Sequence, residues 1–210
     1  MLGFDYGESW TVYRPGGGVA MTPASSGSMA AKSIVLVGLM GAGKSCIGKR
    51  LAQRLSLPFT DADHEIEQAA GCSIPEIFQR HGEAAFRDGE RRVIARLLDD
   101  KPQVLATGGG AFMDSRTRAL VHERAISVWL RADLDLLMRR VSRRNDRPLL
   151  QVAEPRQKLA DLMAQRHPVY AEADLTVDSA DGPPEATLGR VIAALDSFVR
   201  TAPARQRVAS

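Results

Sequence analysis

The chain has 210 residues, 44% of them apolar and 25% charged, a balance that suits one soluble domain with a large core. No apolar run approaches the roughly 20 residues of a membrane-crossing helix, so no membrane partner is expected. The formal net charge of +3 arises in the last twelve residues, where Arg200, Arg205 and Arg207 have no acidic counterpart; the rest is neutral, which argues against a nucleic-acid footprint.

Residues 1–32 are expected to lie outside the fold as a disordered extension. Gly16–Gly18 and Thr22–Ser28 read as linker, and no basic stretch followed by an apolar one marks a signal peptide. Met21 and Met29 both precede the first predicted strand, so the native start is left open. Ile34–Val37 is a run of apolar residues that reads as a buried parallel strand. It leads into Gly38-Leu-Met-Gly-Ala-Gly-Lys44-Ser45, which fills G-x-x-x-x-G-K-[ST] at every fixed position. Ile47, Leu51 and Leu55 then recur at helical spacing. Strand, glycine loop and helix in that order make a phosphate cradle, in which inward-turned amides and a helix N-terminus face one anion. Lys44 is placed to reach the β- and γ-phosphates and the Ser45 hydroxyl to take a site on Mg²⁺. A nucleoside triphosphate is the expected ligand.

Leu57–Asp63 reads as a short second strand ending in two acids, with a helix from Asp63 or His64 that Gly71 breaks. Ser73-Ile-Pro-Glu76 carries a capping-box signature, and a long helical pattern runs from about Glu83 to Leu98. Val104–Gly110 repeats the strand-to-glycine arrangement. A helix over Ser115–His122 and a strand over Ala125–Leu130 follow. Asp133 caps the next helix, whose apolar stripe is Leu134, Leu137, Met138 and Val141. Arg139, Arg140, Arg143 and Arg144 on its other side read as a solvated face. After Asn145–Leu150 comes a helix over Pro155–Arg166, which Pro168 is expected to stop. A strand at Asp174–Asp178, a turn at Asp181–Pro184, a helix over Ala186–Phe198 and a frayed tail at 199–210 complete the chain. Strands alternating with helices predict a parallel sheet covered on both faces.

Asp61 and Asp63, two apart at a strand end, are expected to project to one face, beyond the carboxyl edge where the glycine loop lies. One would hold hydrated Mg²⁺ and the other accept a hydroxyl proton; a helix N-cap pair has the same spacing. Gly108–Gly110 is placed either for close backbone approach to a ligand or as a structural turn. Arg147, in a loop before proline, suits a basic lid over a triphosphate. Arg166 falls on the apolar face with Leu162 and Met163, so its stem covers the core or its head enters a pocket. Arg87 and Glu90, at i+3, read as a surface pair. Cys46 and Cys72 form no CxxC pair, and His64, His81, His122 and His167 show no metal-ligand spacing. A reduced, cytoplasmic protein without structural zinc is the simplest reading.

Taken together, Gly38–Ser45, Asp61-Ala-Asp63, Phe86-Arg87 with Glu90, Thr107–Gly110, Arg147-Pro-Leu-Leu150 and Arg166-His-Pro-Val-Tyr170 resemble the shikimate kinase family over about residues 33–198. The P-loop is shared by many families; the other motifs, in this order, are specific. The resemblance implies an α/β, three-layer P-loop NTPase fold of the nucleoside-monophosphate-kinase type, with a five-stranded parallel sheet flanked by helices and a lid around residues 142–153. It implies ATP-dependent phosphorylation of the 3-hydroxyl of shikimate in aromatic amino acid biosynthesis, with Mg²⁺, by a cytoplasmic monomer without nucleic-acid or membrane partners. Carried over by position, Gly41, Ala42, Gly43, Lys44, Ser45, Cys46, Arg147 and Pro184 would bind ATP. Ser45, and Asp61 through water, would hold the metal. Asp63 would act as base on the acceptor hydroxyl, Arg87 and Arg166 would grip the shikimate carboxylate, and Gly109 and Gly110 would approach the ring. Lys44, Asp63 and Arg147 form the expected catalytic set. Cys46 stands where many relatives have threonine. One rival is another small-molecule P-loop kinase such as a gluconate kinase, which shares P-loop and lid but not the acceptor motifs. The other is a non-catalytic nucleotide-binding module, against which the intact Lys44, Ser45, Asp61, Asp63 and Arg147 argue.

Overall fold

The computed structural model describes residues 32–142 and 153–201. The expected N-terminal extension before Lys32, the lid residues Arg143, Arg144 and Arg147, and the tail after Thr201 lie outside the described residues. Five strands, β1 (Ser33–Val37), β2 (Phe59–Asp61), β3 (Val104–Ala106), β4 (Ala125–Arg131) and β5 (Leu175–Asp178), pair in parallel in the order β2-β3-β1-β4-β5. No residue of β1 is more than 6% exposed. Because successive side chains point to opposite faces, both faces of the sheet must be covered there, as the unbroken apolar run predicts.

The helices supply that cover. α1 (Lys44–Leu55) lies on β1, β2 and β3 and against α7 (Pro184–Thr201), which packs on β5. α3 (Ile74–Asp99) packs on α4 (Ser115–Arg124), α4 on β4, α2 (Ala62–Ala70) on α3, and α5 (Leu134–Val141) on α6 (Pro155–Tyr170). α1 approaches the sheet closely at Gly48, where a Cβ would fall 2.5 Å from Phe59 Cε2 and 3.1 Å from Leu36 Cδ1. A smaller core of Ile66, Ile77 and Phe86 sits between α2 and α3. Among the described residues, no helix is long and apolar enough to cross a membrane.

Some boundaries differ from expectation for physical reasons. β2 ends at Asp61 rather than Asp63, because Ala62, wholly buried, already begins α2. Within α3 the chain leaves helical geometry at Gly82 (φ 76°, ψ 176°), so its second part begins at Glu83 as expected, and the Glu76 carboxylate that caps the start of the first part accepts from Ser73 N at 2.9 Å and Ser73 Oγ at 2.7 Å. Pro168 does not stop α6. The proline forfeits its own N–H bond two residues from the helix end, but the Ala171 amide still donates to His167 O at 2.9 Å and burial of Tyr170 holds the last turn in place.

Register fixes what meets at the functional edge. Leu36 of β1 pairs with Ala106, the last residue of β3, and β1 ends one residue later at Val37, so the carboxyl ends of these two strands are nearly level, while β4 runs two residues beyond Trp129, the partner of Val37. The loops leaving β1 and β3 therefore emerge side by side, at the edge where open α/β sheets bind ligands.

Candidate active site

The loop between β1 and α1 has the geometry its glycines permit. Gly43, the N-cap of α1, has φ 96°, a left-handed conformation that side chains resist, and the Ile47 amide donates to its carbonyl at 2.9 Å to start the helix. Lys44 Nζ donates to Gly38 O at 2.7 Å and Leu39 O at 3.0 Å, which holds its ammonium across the loop. Ser45 Oγ donates to Asp61 Oδ2 at 2.7 Å. Asp61 in turn is the N-cap of α2, its Oδ1 accepting from the Asp63 amide at 3.2 Å. The two acids thus do not share a strand face: one ends the strand and the other stands in the first helical turn. Ser45 hydroxyl and Asp61 carboxylate together offer the hard oxygen donors that suit Mg²⁺, an ion that takes few protein ligands beside phosphates. Among the described residues, no group of three or more His, Cys, Asp or Glu could hold a metal on its own.

Arg140 is not part of a solvated face. Its Nη1 donates to Ser179 Oγ at 2.9 Å, Gly41 O at 3.3 Å and Ala42 O at 3.4 Å, and its Nη2 to Ala180 O at 2.8 Å. It joins the outer side of the P-loop to the β5–α7 connection, because α5 runs directly against that loop: a Cβ on Gly41 would lie 3.0 Å from Val141 Cγ1. Arg139 keeps the surface role, paired with Asp181 at 2.9 Å. Cys46 is exposed beside Arg50, whose Nη1 lies 3.1 Å from its sulfur and whose Nε meets Glu185 at 3.1 Å. That pair brings the first turn of α7, with Pro184 at its start, next to α1.

The second half of the site is built on Gly108–Gly110, which lies against the P-loop. A Cβ on Gly109 would be 3.6 Å from Gly38 O and 3.7 Å from Met40 N. Each glycine makes room for a different charged side chain. A Cβ on Gly108 would fall 2.6 Å from Asp63 Oδ1 and 3.1 Å from Glu90 Oε1; on Gly109, 3.3 Å from Arg166 Nη1; on Gly110, 2.5 Å from both Arg87 Nη1 and Nη2. Asp63 comes from α2, Arg87 and Glu90 from α3, and Arg166 from α6. The structure therefore brings Lys44, Ser45, Asp61, Asp63, Arg87, Gly109, Gly110 and Arg166 to one edge of the sheet, and leaves Pro184 at its far side beyond α1.

Arg87 Nη1 and Glu90 Oε2 are 2.6 Å apart, but this is no surface pair: the Glu90 side chain is 4% exposed and that of Arg87 29%. Burial raises the Glu90 carboxyl above its ordinary value, even though Arg87 and Arg166 pull it down; Asp63 adds to the rise. Sequence reasoning missed this group's place, yet a signal was present: Phe86, Glu90, Ile94 and Leu97 share one buried helical stripe. Arg166 Nη1 donates to Gly109 O at 2.9 Å, so its head enters the site. The Tyr170 hydroxyl donates to the same carbonyl. Tyr170 is fully buried, and burial pushes its phenol up to about 12.

Comparisons with known proteins agree with this geometry. A family model for shikimate kinase matches residues 40–196. A shikimate kinase of Bradyrhizobium diazoefficiens is 64% identical over 156 residues, covering 74% of this chain and 75% of that protein. A solved shikimate kinase from Acinetobacter baumannii, in complex with shikimate, is 40% identical with a TM-score of 0.77, covering 82% of this chain and 96% of that one. A gluconokinase from Sinorhizobium meliloti, 18% identical with a TM-score of 0.57 over 81% of this chain and 95% of its own, shares the fold alone. With its specific motifs gathered at one edge of the expected sheet and a family model spanning most of its length, the chain belongs to the shikimate kinase family.

Proposed function

We propose that this protein transfers the γ-phosphoryl group of ATP to the 3-hydroxyl of shikimate, giving shikimate 3-phosphate and ADP, a step of aromatic amino acid biosynthesis. The observation that carries this reading is the seating of Asp63, Arg166 and Arg87 against three successive glycines that abut the P-loop. A small carboxylate bearing hydroxyls has its two needs met there. Planar guanidinium groups from Arg87 and Arg166 suit a carboxylate, and Asp63, seated at Gly108, is joined to the P-loop through Asp61, which accepts from the Asp63 amide and from Ser45 Oγ.

In this reading Lys44 leaves the carbonyls of Gly38 and Leu39 for the β- and γ-phosphates, and the amides of Gly41–Cys46 surround them. Ser45 directly, and Asp61 through water, would hold Mg²⁺, which when bound offsets charge on the phosphate oxygens. Asp63 accepts the proton of the attacking hydroxyl, whose oxygen bonds to phosphorus as the bond to the ADP oxygen breaks. Arg147 would close over the triphosphate from the lid, and Pro184 would border the base. Gly109 and Gly110 let the ring approach the backbone. The cysteines Cys46 and Cys72 are both unpaired in disulfides, which supports a reducing, cytoplasmic setting. A coupled assay of ADP release should show turnover with shikimate and only background with gluconate or nucleoside monophosphates. Turnover with gluconate in place of shikimate would overturn the proposal.

A further inference from the structure

The Gly109 carbonyl accepts two donors from one face of α6, Arg166 Nη1 at 2.9 Å and the Tyr170 hydroxyl. Tyr170 is 0% exposed, its ring centroid 5.9 Å from that of Trp129 and 6.4 Å from that of His167. It stands behind the glycine strip, where no ligand reaches it, and with its phenol pushed up to about 12 it remains a donor throughout the neutral range. The flanking Gly108 and Gly110 carbonyls accept from backbone amides, Ala111 at 3.2 Å and Met113 at 3.0 Å, whereas the Gly109 carbonyl is held by the two α6 side chains. Gly109 also lies beside the Arg166 head, where a Cβ would fall 3.3 Å from Nη1, so the orientation of this peptide sets where that guanidinium rests.

We propose that Tyr170 is a positioning residue for the acceptor half of the site: its hydroxyl fixes the Gly109 carbonyl and, through it, the Arg166 guanidinium, without touching a substrate. The inference rests on the assignment of Arg166 to the shikimate carboxylate. Nothing in the local pattern of α6 assigns such a role to Tyr170, which otherwise reads as a core residue at the end of the Leu159, Leu162, Arg166 stripe.

Tyr170→Phe keeps the ring and its packing and deletes one donor. The expected result is a rise of about fivefold in KM for shikimate, the size of one net hydrogen bond, with kcat and KM for ATP close to those of the parent and a Tm lower by only about 2–4 °C, as loss of one buried hydrogen bond requires. In an Arg166→Lys background, where the planar fork is gone, the same Tyr170→Phe change should add less than about twofold. A purely structural tyrosine would lower Tm as well, but would leave both KM values unchanged or change them together. An unchanged shikimate KM in Tyr170→Phe, or a full fivefold effect on top of Arg166→Lys, overturns the proposal alone. A wild-type shikimate KM in Arg166→Lys removes the carboxylate clamp itself, and the proposal with it.

Discussion

Gly110→Ala is a one-methyl test of the acceptor half. The backbone at Gly110 has φ −99° and ψ −17°, a conformation open to alanine, so the change introduces no backbone strain. The new Cβ, however, would stand 2.5 Å from both terminal nitrogens of Arg87 and 2.7 Å from its Cζ, about 1 Å inside normal contact. The obstacle is the end of a flexible side chain that is 29% exposed, so Arg87 yields by swinging towards solvent and the fold survives. What is lost is the guanidinium's place on the strip and its bond to Glu90. A hydrogen bond to a charged group is worth about 1.5–3 kcal/mol, which corresponds to a rise of roughly 10- to 150-fold in shikimate Kd. Titration calorimetry with shikimate and with ATP reads this directly: Gly110→Ala should lose shikimate affinity while keeping that for ATP. The double variant with Arg87→Ala should bind no worse than Arg87→Ala alone. Wild-type shikimate affinity in Gly110→Ala, or additive losses in the double variant, would refute the reasoning.

Three further changes probe other parts of the account. Asp63→Asn should lose at least 100-fold in kcat, in line with the roughly 10²–10⁴-fold contribution of a general base, while ATP still binds by calorimetry; near-parental turnover would remove Asp63 from the chemistry. Gly48→Ala places a Cβ 2.5 Å from the Phe59 ring and 3.1 Å from Leu36 between helix and sheet, where neither neighbour can leave. It should destabilise the fold by about 1–3 kcal/mol of overpacking in urea denaturation, with shikimate binding intact in the folded fraction. Asp114→Ala removes the cap of α4, whose Oδ1 accepts from the Thr117 amide at 2.8 Å and is held below its ordinary 3.8 chiefly by that bond. A depressed carboxyl stabilises the fold above its unfolded pKa, and that stabilisation disappears as pH falls through the folded value. The penalty should therefore be about 1 kcal/mol at pH 7 and shrink below pH 3.8, as thermal melts across pH would show.

The sheet and the P-loop were legible in the sequence because their signals are local. An apolar run, a fixed glycine spacing and a helical period each lie within a dozen residues. The acceptor half was legible only through motif resemblance, since its members come from three helices and one loop that topology alone brings together. The physical reason for Gly108–Gly110 was invisible until Asp63, Arg166 and Arg87 were seen occupying the space their side chains would need. Glu90 was misread because an i+3 pair with Arg87 looks alike on a surface and in a core; only its membership of the Phe86, Ile94, Leu97 stripe tells them apart. Arg140 was misread for a related reason. Amphipathic spacing compares a residue with its own helix, whereas its partners are the P-loop carbonyls and Ala180, distant in sequence. Asp61 and Asp63 were placed on one strand face, but a buried Ala62 turned the chain into a helix one residue early.

The central claim is that the strip beside the P-loop presents one particular hydroxyl of shikimate to the γ-phosphate. Phosphorus and proton NMR of the product formed from ATP and shikimate tests this most directly. The account predicts a single monophosphate ester whose phosphorus couples to the proton on carbon 3. Phosphate on another hydroxyl, a mixture of esters, or ADP formed without any phosphorylated shikimate would contradict it.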